Sequence, residues 1–308
     1  MKKSIGLALV PAVVGLSTPG FASELVEHEI SVPGFADFLA VDGDTVWVTN
    51  AGRVEQWSTD ELLASTVMPR PCGTMAVGFG SLWVANCTDG TLYRIDLASA
   101  EVQTIIATGI ANPKGETNVV IGAGSVWVPS DGAGKVARVD PETNEVIASI
   151  SVDPGTFYLS YGFDAVWAAS SDEQSLQKIA PETNTVTGKV SLGKQPGFLV
   201  AGEGAVWVQE QGDGTVVRVH PESVEVTGRT KVGENLIYGD IDAGGGKIWL
   251  RTTDDQTFAV IDPQSMEVLT RAGKPVGSGA IRYTPSRIWT SAHDVLSISW
   301  WAQDAGEN

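Results

Sequence analysis

From Pro196 to Gly233 the chain reads PGFLVAGEGAVWVQEQGDGTVVRVHPESVEVTGRTKVG. Four short apolar or alternating runs are separated by Gly, Asp and Pro punctuation, which is the pattern of consecutive antiparallel strands joined by tight turns. The reading places strand A at 197–202, strand B at 205–209, strand C at 215–220 and strand D at 224–232. Trp207 lies in the β-branched run of strand B, and the same setting recurs at Trp47, Trp83, Trp127, Trp167, Trp249 and Trp289. In chain order the seven tryptophans are separated by 36, 44, 40, 40, 42 and 40 residues.

A four-stranded unit of about 40 residues cannot bury both of its faces alone, whereas seven units stacked radially bury one another. The period therefore predicts an all-β, seven-bladed β-propeller of four-stranded antiparallel blades, with the indoles wedged between neighbouring blades. Neither a heptad pattern nor a βαβ alternation competes. After Trp289 only one further strand follows, read at 295–300, so the last blade is one strand short. The lone alternating segment 25–32 is expected to supply that outer strand, close the ring and hide a sheet edge. The chain is then one propeller domain over 23–308.

Residues 1–22, MKKSIGLALVPAVVGLSTPGFA, carry Lys2 and Lys3, an apolar stretch and small residues before Ala22. This is a signal-peptide pattern and places the product in the periplasm or outside the cell; the apolar stretch is too short to span a membrane. With 20 basic against 37 acidic side chains, a net charge of −17 and no basic run, nucleic acid is not an expected partner. Hydrophobic residues at 43% argue against a disordered chain.

Cys72 and Cys87 flank the turn Gly78-Phe79-Gly80-Ser81. Continuing the pairing outward from that turn sets the two cysteines directly opposite, as a disulfide across the open end of the hairpin. The rival readings, two free thiols or half of a metal site, find no His or third Cys nearby.

The A-to-B and C-to-D turns share one end of the ring. The latter repeat as Asp140-Pro141-Glu142, Ala180-Pro181-Glu182, His220-Pro221-Glu222 and Asp262-Pro263-Gln264, so their carboxylates read as turn chemistry, with His220 in an Asp slot. The opposite end, built by the D-to-A and B-to-C loops, is where the repeats stop resembling one another and where function is expected. There the candidate ligand-binding residues are Glu116, Lys114, Tyr158, Tyr238, Asp240 and Arg251, the last as a grip for a substrate carboxylate. Glu210 and His293 are the candidate acid and base. Glu210 with Asp240 is the candidate site for a divalent cation, Mg or Ca.

The strings Trp47-Val48-Thr49-Asn50 and Trp83-Val84-Ala85-Asn86, with runs such as Val136-Ala137-Arg138-Val139-Asp140-Pro141-Glu142-Thr143-Asn144, resemble the YVTN-type surface-layer propellers. They are also similar to the streptogramin (virginiamycin B) lyases, whose strand B ends in Trp-Phe-Thr-Glu. The lyase resemblance implies a magnesium-assisted elimination that opens a cyclic peptide lactone, using His and Glu at one end of the ring. Only Trp207-Val208-Gln209-Glu210 matches that Glu motif here, and the starts of the A strands carry no His. A calcium-dependent lactonase propeller would have six blades, against seven in this count. Two functions follow as expectations: a propeller that binds a small molecule or cell-envelope ligand in its polar funnel, or a metal-assisted lyase or lactone hydrolase.

Overall fold

Every indole of the repeat is buried to within 1% of complete exclusion from solvent, and each belongs to a cluster that includes strand B of the next blade. Trp47 packs with Leu82 and Val84, Trp83 with Val126 and Val128, and Trp127 with Val166 and Ala168. Trp167 meets Val206 and Val208, Trp207 meets Ile248 and Leu250, and Trp249 meets Ile288. Trp289 then packs with Val46 and Val48 of the first blade, so the seven clusters run round a ring. Burying one indole is worth on the order of 4–6 kcal/mol before conformational entropy is counted.

The structure is a computed structural model, described for residues 25–113, 115–129, 133–237, 239–252, 257–274 and 277–303. It contains seven four-stranded antiparallel sheets, six of them formed by consecutive strands. In the unit that reveals the repeat the strands are Pro196–Gly202, Ala205–Glu210, Thr215–Val219 and Val226–Lys231, within two residues of the sequence reading. In the seventh sheet Leu25–Ser31 pairs antiparallel with Ser297–Gln303, outside Ile288–Ala292 and Ile281–Tyr283. That last strand starts two residues later than the sequence suggests, because His293–Val295 forms a 3-10 turn capped by Leu296 at φ 59°. Residues 1–22, the expected leader, lie outside the described residues. No helix among those described is long and apolar enough to cross a membrane.

Glycine at the end of strand A explains how the blades approach so closely. The indole N–H of Trp83, Trp127, Trp167, Trp207 and Trp249 donates to the carbonyl of the glycine five residues earlier, at 2.9 to 3.1 Å. A Cβ on Gly122 would lie 2.0 Å from the Tyr161 ring of the next blade, and one on Gly202 would lie 3.0 Å from Ala243 Cβ. In the first and last blades the equivalent residues are Asp42 and Thr284, and there the indole nitrogens of Trp47 and Trp289 have no hydrogen-bond partner among the described residues.

A second inter-blade contact starts from strand C. Arg94, Arg138, Lys178 and Arg218 each donate to the proline carbonyl of the next blade's C-to-D turn, at Pro141, Pro181, Pro221 and Pro263. The first three also lie over the indole of their own blade, 4.7 to 5.4 Å from a ring centroid. The turn carboxylates are occupied locally, as their regularity suggests. Asp140 Oδ1 accepts from the N–H groups of Glu142 and Thr143, and Asp262 Oδ1 from those of Gln264 and Ser265. His220 Nδ1 accepts from Glu222 and Ser223 in the same manner.

Cys72 and Cys87 form a disulfide with Cα atoms 6.0 Å apart, and the described residues contain no free cysteine. The cysteines are not directly opposite. The hairpin pairs Ala76 with Trp83, but Pro71 pairs with Asn86 and the Cys72 N–H donates to the Ala85 carbonyl. Two extra residues are taken up around Gly73, at φ +69°, where a Cβ would meet the Thr117 carbonyl at 2.1 Å.

Two stability measurements check this description. In urea unfolding Gly122→Ala should cost about 2–3 kcal/mol and Gly202→Ala clearly less, because only the first drives a Cβ into a ring fixed near its own backbone. Equal losses would mean that blade crowding is not the reason for these glycines. Replacing both cysteines with serine removes a 15-residue closure and should cost up to about 3 kcal/mol. An unchanged denaturation midpoint would show that the hairpin needs no covalent brace.

Candidate functional site

The irregular end of the ring holds a cavity of about 840 Å³, lined by loops and strand starts from six of the seven blades. The lining divides by chemistry. Asp37, Glu116, Asp240 and Asp294 bring carboxyl groups, and Phe35, Phe38, Phe157, Tyr158 and Phe198 bring aromatic faces. Gln195, Gln211, Ser278 and His293 are among the remaining polar groups. A second cavity of about 420 Å³ shares Phe35, Asp37, Phe38, Gly115 and Glu116 with the first.

Asp37 and Phe35 arrive on the segment between the first strand and blade one, and Asn50 fixes that segment. Its Oδ1 accepts from Phe35 N at 2.5 Å and from Ala51 N at 2.7 Å, while its Nδ2 donates to Pro33 O and to Glu55 Oε2 at 3.0 Å. Gly34, at φ +122°, leaves no room for a Cβ beside Asn50. Glu116 sits on a loop tied to the disulfide hairpin. Asn112 N donates to the Cys87 carbonyl and Asn112 Nδ2 to the Glu116 carbonyl, while Arg70 donates to the carbonyls of Pro113 and Gly115.

The carboxyl groups are unequal. Asp240 accepts from Ile241 N at 2.8 Å and Ile281 N at 3.1 Å, and its Oδ2 is 2.5 Å from Arg282 Nη1. Asp37 has no donor to its carboxylate among the described residues, and its pKa is pushed well above the usual range by burial and by the fields of Glu116, Asp240 and Asp294. Burial also raises Glu116, against the opposing hydrogen bond from the Tyr158 hydroxyl at 3.2 Å. The Tyr158 hydroxyl is itself pushed up by burial and the neighbouring carboxylates.

Ser278, His293 and Asp294 meet at the cavity wall, with Ser278 Oγ 2.8 Å from His293 Nε2 and Asp294 Oδ1 2.5 Å from His293 Nδ1. A nucleophilic triad needs the carboxylate and the hydroxyl on opposite edges of the imidazole. Here Asp294 also lies within 3.5 Å of Ser278 Oγ, so the three groups close a triangle and form no relay. Burial, aided by Arg251, holds the imidazole below its usual pKa despite Asp294, and the ring stacks on Phe35 at 4.2 Å.

Of the residues expected from the sequence, Glu116, Tyr158, Asp240 and His293 come together in this cavity. Lys114 and Tyr238 lie outside the described residues. Arg251 does not line the cavity; it is buried, and its Nη2 donates to the carbonyls of Gly277 and Ser291 at 3.2 Å.

Glu210 also stands apart. Its carboxylate is 3.1 Å from Arg229 Nε and accepts from Gly193 N at 2.7 Å and Thr215 Oγ1 at 2.6 Å. In three blades the residue three after the indole, Asn50, Ser170 or Glu210, anchors the loop entering its own blade, which is the role these bonds give Glu210. Glu210 and Asp240 therefore do not fit a shared divalent cation, since both carboxylates are already committed. Among the described residues no three His, Cys, Asp or Glu side chains group as a metal shell.

Several of the lining residues missed by sequence reading fall at two adjacent offsets of the repeat. Phe38 and Phe198 stand nine residues before their tryptophans, the offset shared by the expected Tyr158 and Asp240, and Asp37, Phe157 and Gly239 stand ten before theirs. Variation at a fixed offset within an otherwise constant repeat is the signal that marks them.

Comparison with solved structures gives the same architecture. Virginiamycin B lyase from Staphylococcus aureus superposes with a TM-score of 0.76 at 16% identity, over 91% of this chain and 99% of that one. A streptogramin B lyase structure gives 0.77 at 15% identity, over 91% and 98%. The fold is that of these lyases. Hydrazine synthase from Kuenenia stuttgartiensis also matches, with a TM-score of 0.75 at 12% identity, over 90% and 98%. Identities this low establish the shared propeller alone. No protein-family model and no curated protein matches the chain.

The two acidic positions should respond oppositely to neutralisation. A carboxyl whose folded pKa is raised costs stability once the pH exceeds the ordinary carboxylate range, so Asp37→Asn should raise the melting temperature at pH 7. The gain should shrink as the pH falls toward that range and vanish below it, where Asp37 is protonated in both states. Glu210→Gln should instead cost about 1–3 kcal/mol by weakening the hydrogen bonds of a buried carboxylate to Gly193, Thr215 and the half-exposed Arg229. Thermal melts from pH 4 to 8 check both, and a destabilised Asp37→Asn protein would contradict the repulsion described here.

Proposed function

We propose that this protein is an exported receptor that binds a small molecule in the cavity at the irregular end of the propeller. The observation that carries the reading is the cavity itself. Its volume falls within the range of small-molecule sites, and its lining joins apolar faces with a few convergent polar groups drawn from six blades. The opposite end spends its polar groups on repeated turns. Export to the periplasm or beyond is supported by the leader pattern of residues 1–22 and by a disulfide, which persists in oxidising compartments.

A lyase or lactone hydrolase is the second reading, favoured by the likeness to streptogramin B lyases and by a neutral His293 beside raised carboxyl groups. The position of Glu210 supports receptor over enzyme, because the one residue matching the lyase Glu motif holds a loop.

A thermal-shift screen with a library of small metabolites tests the receptor reading. The expected result is a set of compounds that stabilise the native protein but not an Ile237→Trp variant, whose indole fills the cavity. Compounds that stabilise both proteins equally would place binding elsewhere. Conversion of a hit to a product would favour the enzyme.

A further inference from the structure

We propose that the ligand of this cavity is an organic cation, a protonated or quaternary amine carried on an apolar body; this rests on the receptor reading above. Four lining residues bear carboxyl groups, and no Lys or Arg is among the described residues lining this cavity; Arg70 lines the adjoining one, where its field favours the Glu116 charge while its Nη atoms donate to the Pro113 and Gly115 carbonyls. Asp240 is compensated by Arg282, and Asp294 is held 2.5 Å from the imidazole of His293, a hydrogen-bond partner and not a counter-charge. Asp37 and Glu116 are the ones left to a ligand. They lie on the wall shared by the two adjoining cavities, and no protein donor among the described residues reaches the Asp37 carboxylate.

The aromatic wall is an independent observation. Tyr158 packs on Phe198 with ring centroids 4.2 Å apart, Phe38 lies 6.0 Å from Phe198, and Phe35 stacks on His293. A ring of this kind attracts a cation through its π face and gives nothing comparable to an anion. Carboxylates facing aromatic rings therefore select a charge that is positive, diffuse and weakly hydrated. A hard divalent ion is a poor match, because calcium needs six to eight oxygen ligands and magnesium a near-octahedral set. Asp37, without a donor among the described residues, and Glu116, bonded only by the Tyr158 hydroxyl, do not supply either among phenyl rings. The net charge of −17 adds long-range attraction for cations.

An ammonium group between Asp37 and Glu116 also relieves a cost already present in the fold. Each carboxylate raises the energy of the other, and one positive charge between them turns that repulsion into two favourable contacts.

Three probes with one carbon skeleton and different charge test the proposal: 4-phenylbutylammonium, 4-phenylbutanol and 4-phenylbutanoate, titrated calorimetrically at pH 7. The ammonium should bind at least about tenfold tighter than the alcohol, with the carboxylate weakest. In a variant combining Asp37→Asn and Glu116→Gln, which preserves shape, the ammonium should lose that advantage while the alcohol keeps its affinity. Glu116→Gln alone should show part of the loss. An alcohol that binds as tightly as the ammonium overturns the cation assignment and leaves the receptor reading standing. Silence from all three up to about 10 mM overturns the cation assignment as well, and the metabolite screen then decides the receptor reading separately.

Discussion

The structure depends on a contact between an indole and a glycine. Each tryptophan of the repeat packs against strand B of the next blade, and in five blades its N–H is satisfied by the carbonyl of the glycine that ends strand A. The same glycine lets the next blade come close, since a Cβ there would collide with a side chain across the interface. A large apolar surface is thus buried without stranding its one polar atom. The exceptions, Trp47 and Trp289, sit in neighbouring blades where the chain begins and ends and where the glycine is replaced.

Because the blades hold one another through this contact and through the strand C cations, the loops at one end carry little of the folding free energy. They can then keep groups that a core would reject. Asp37 and Glu116 stay near each other and near Asp240 although burial and mutual repulsion disfavour their charges. Such an arrangement persists only where the backbone is fixed by other means. Asn50 fixes the segment bearing Asp37, and Arg70, Asn112 and the disulfide hairpin fix the loop bearing Glu116.

The likeness to streptogramin B lyases extends over nearly the whole chain in shape and hardly at all in sequence. A propeller blade needs apolar strands, a wedge and turns, and these conditions say nothing about chemistry at the loop end. Glu210 illustrates the gap. Its position matches a family motif, yet its bonds to Gly193, Thr215 and Arg229 make it a loop anchor.

The sequence by itself determined the blade number, the strand order within each blade, the disulfide partners and the end of the ring free to vary. All of these follow from patterns that repeat every 40 residues or from pairing within one hairpin, so neighbours in sequence suffice. The direct opposition of Cys72 and Cys87 failed because Gly73 takes up two residues that no periodic rule anticipates. The tertiary structure alone decided which side chains meet in the cavity. Asp37 precedes the first repeat and reaches the site only because Asn50 holds its segment there, and Asp294 joins it from the opposite end of the chain. Which of six blades presents an acid, an aromatic ring or a glycine depends on loop paths set by single hydrogen bonds, and such contacts leave no period to read.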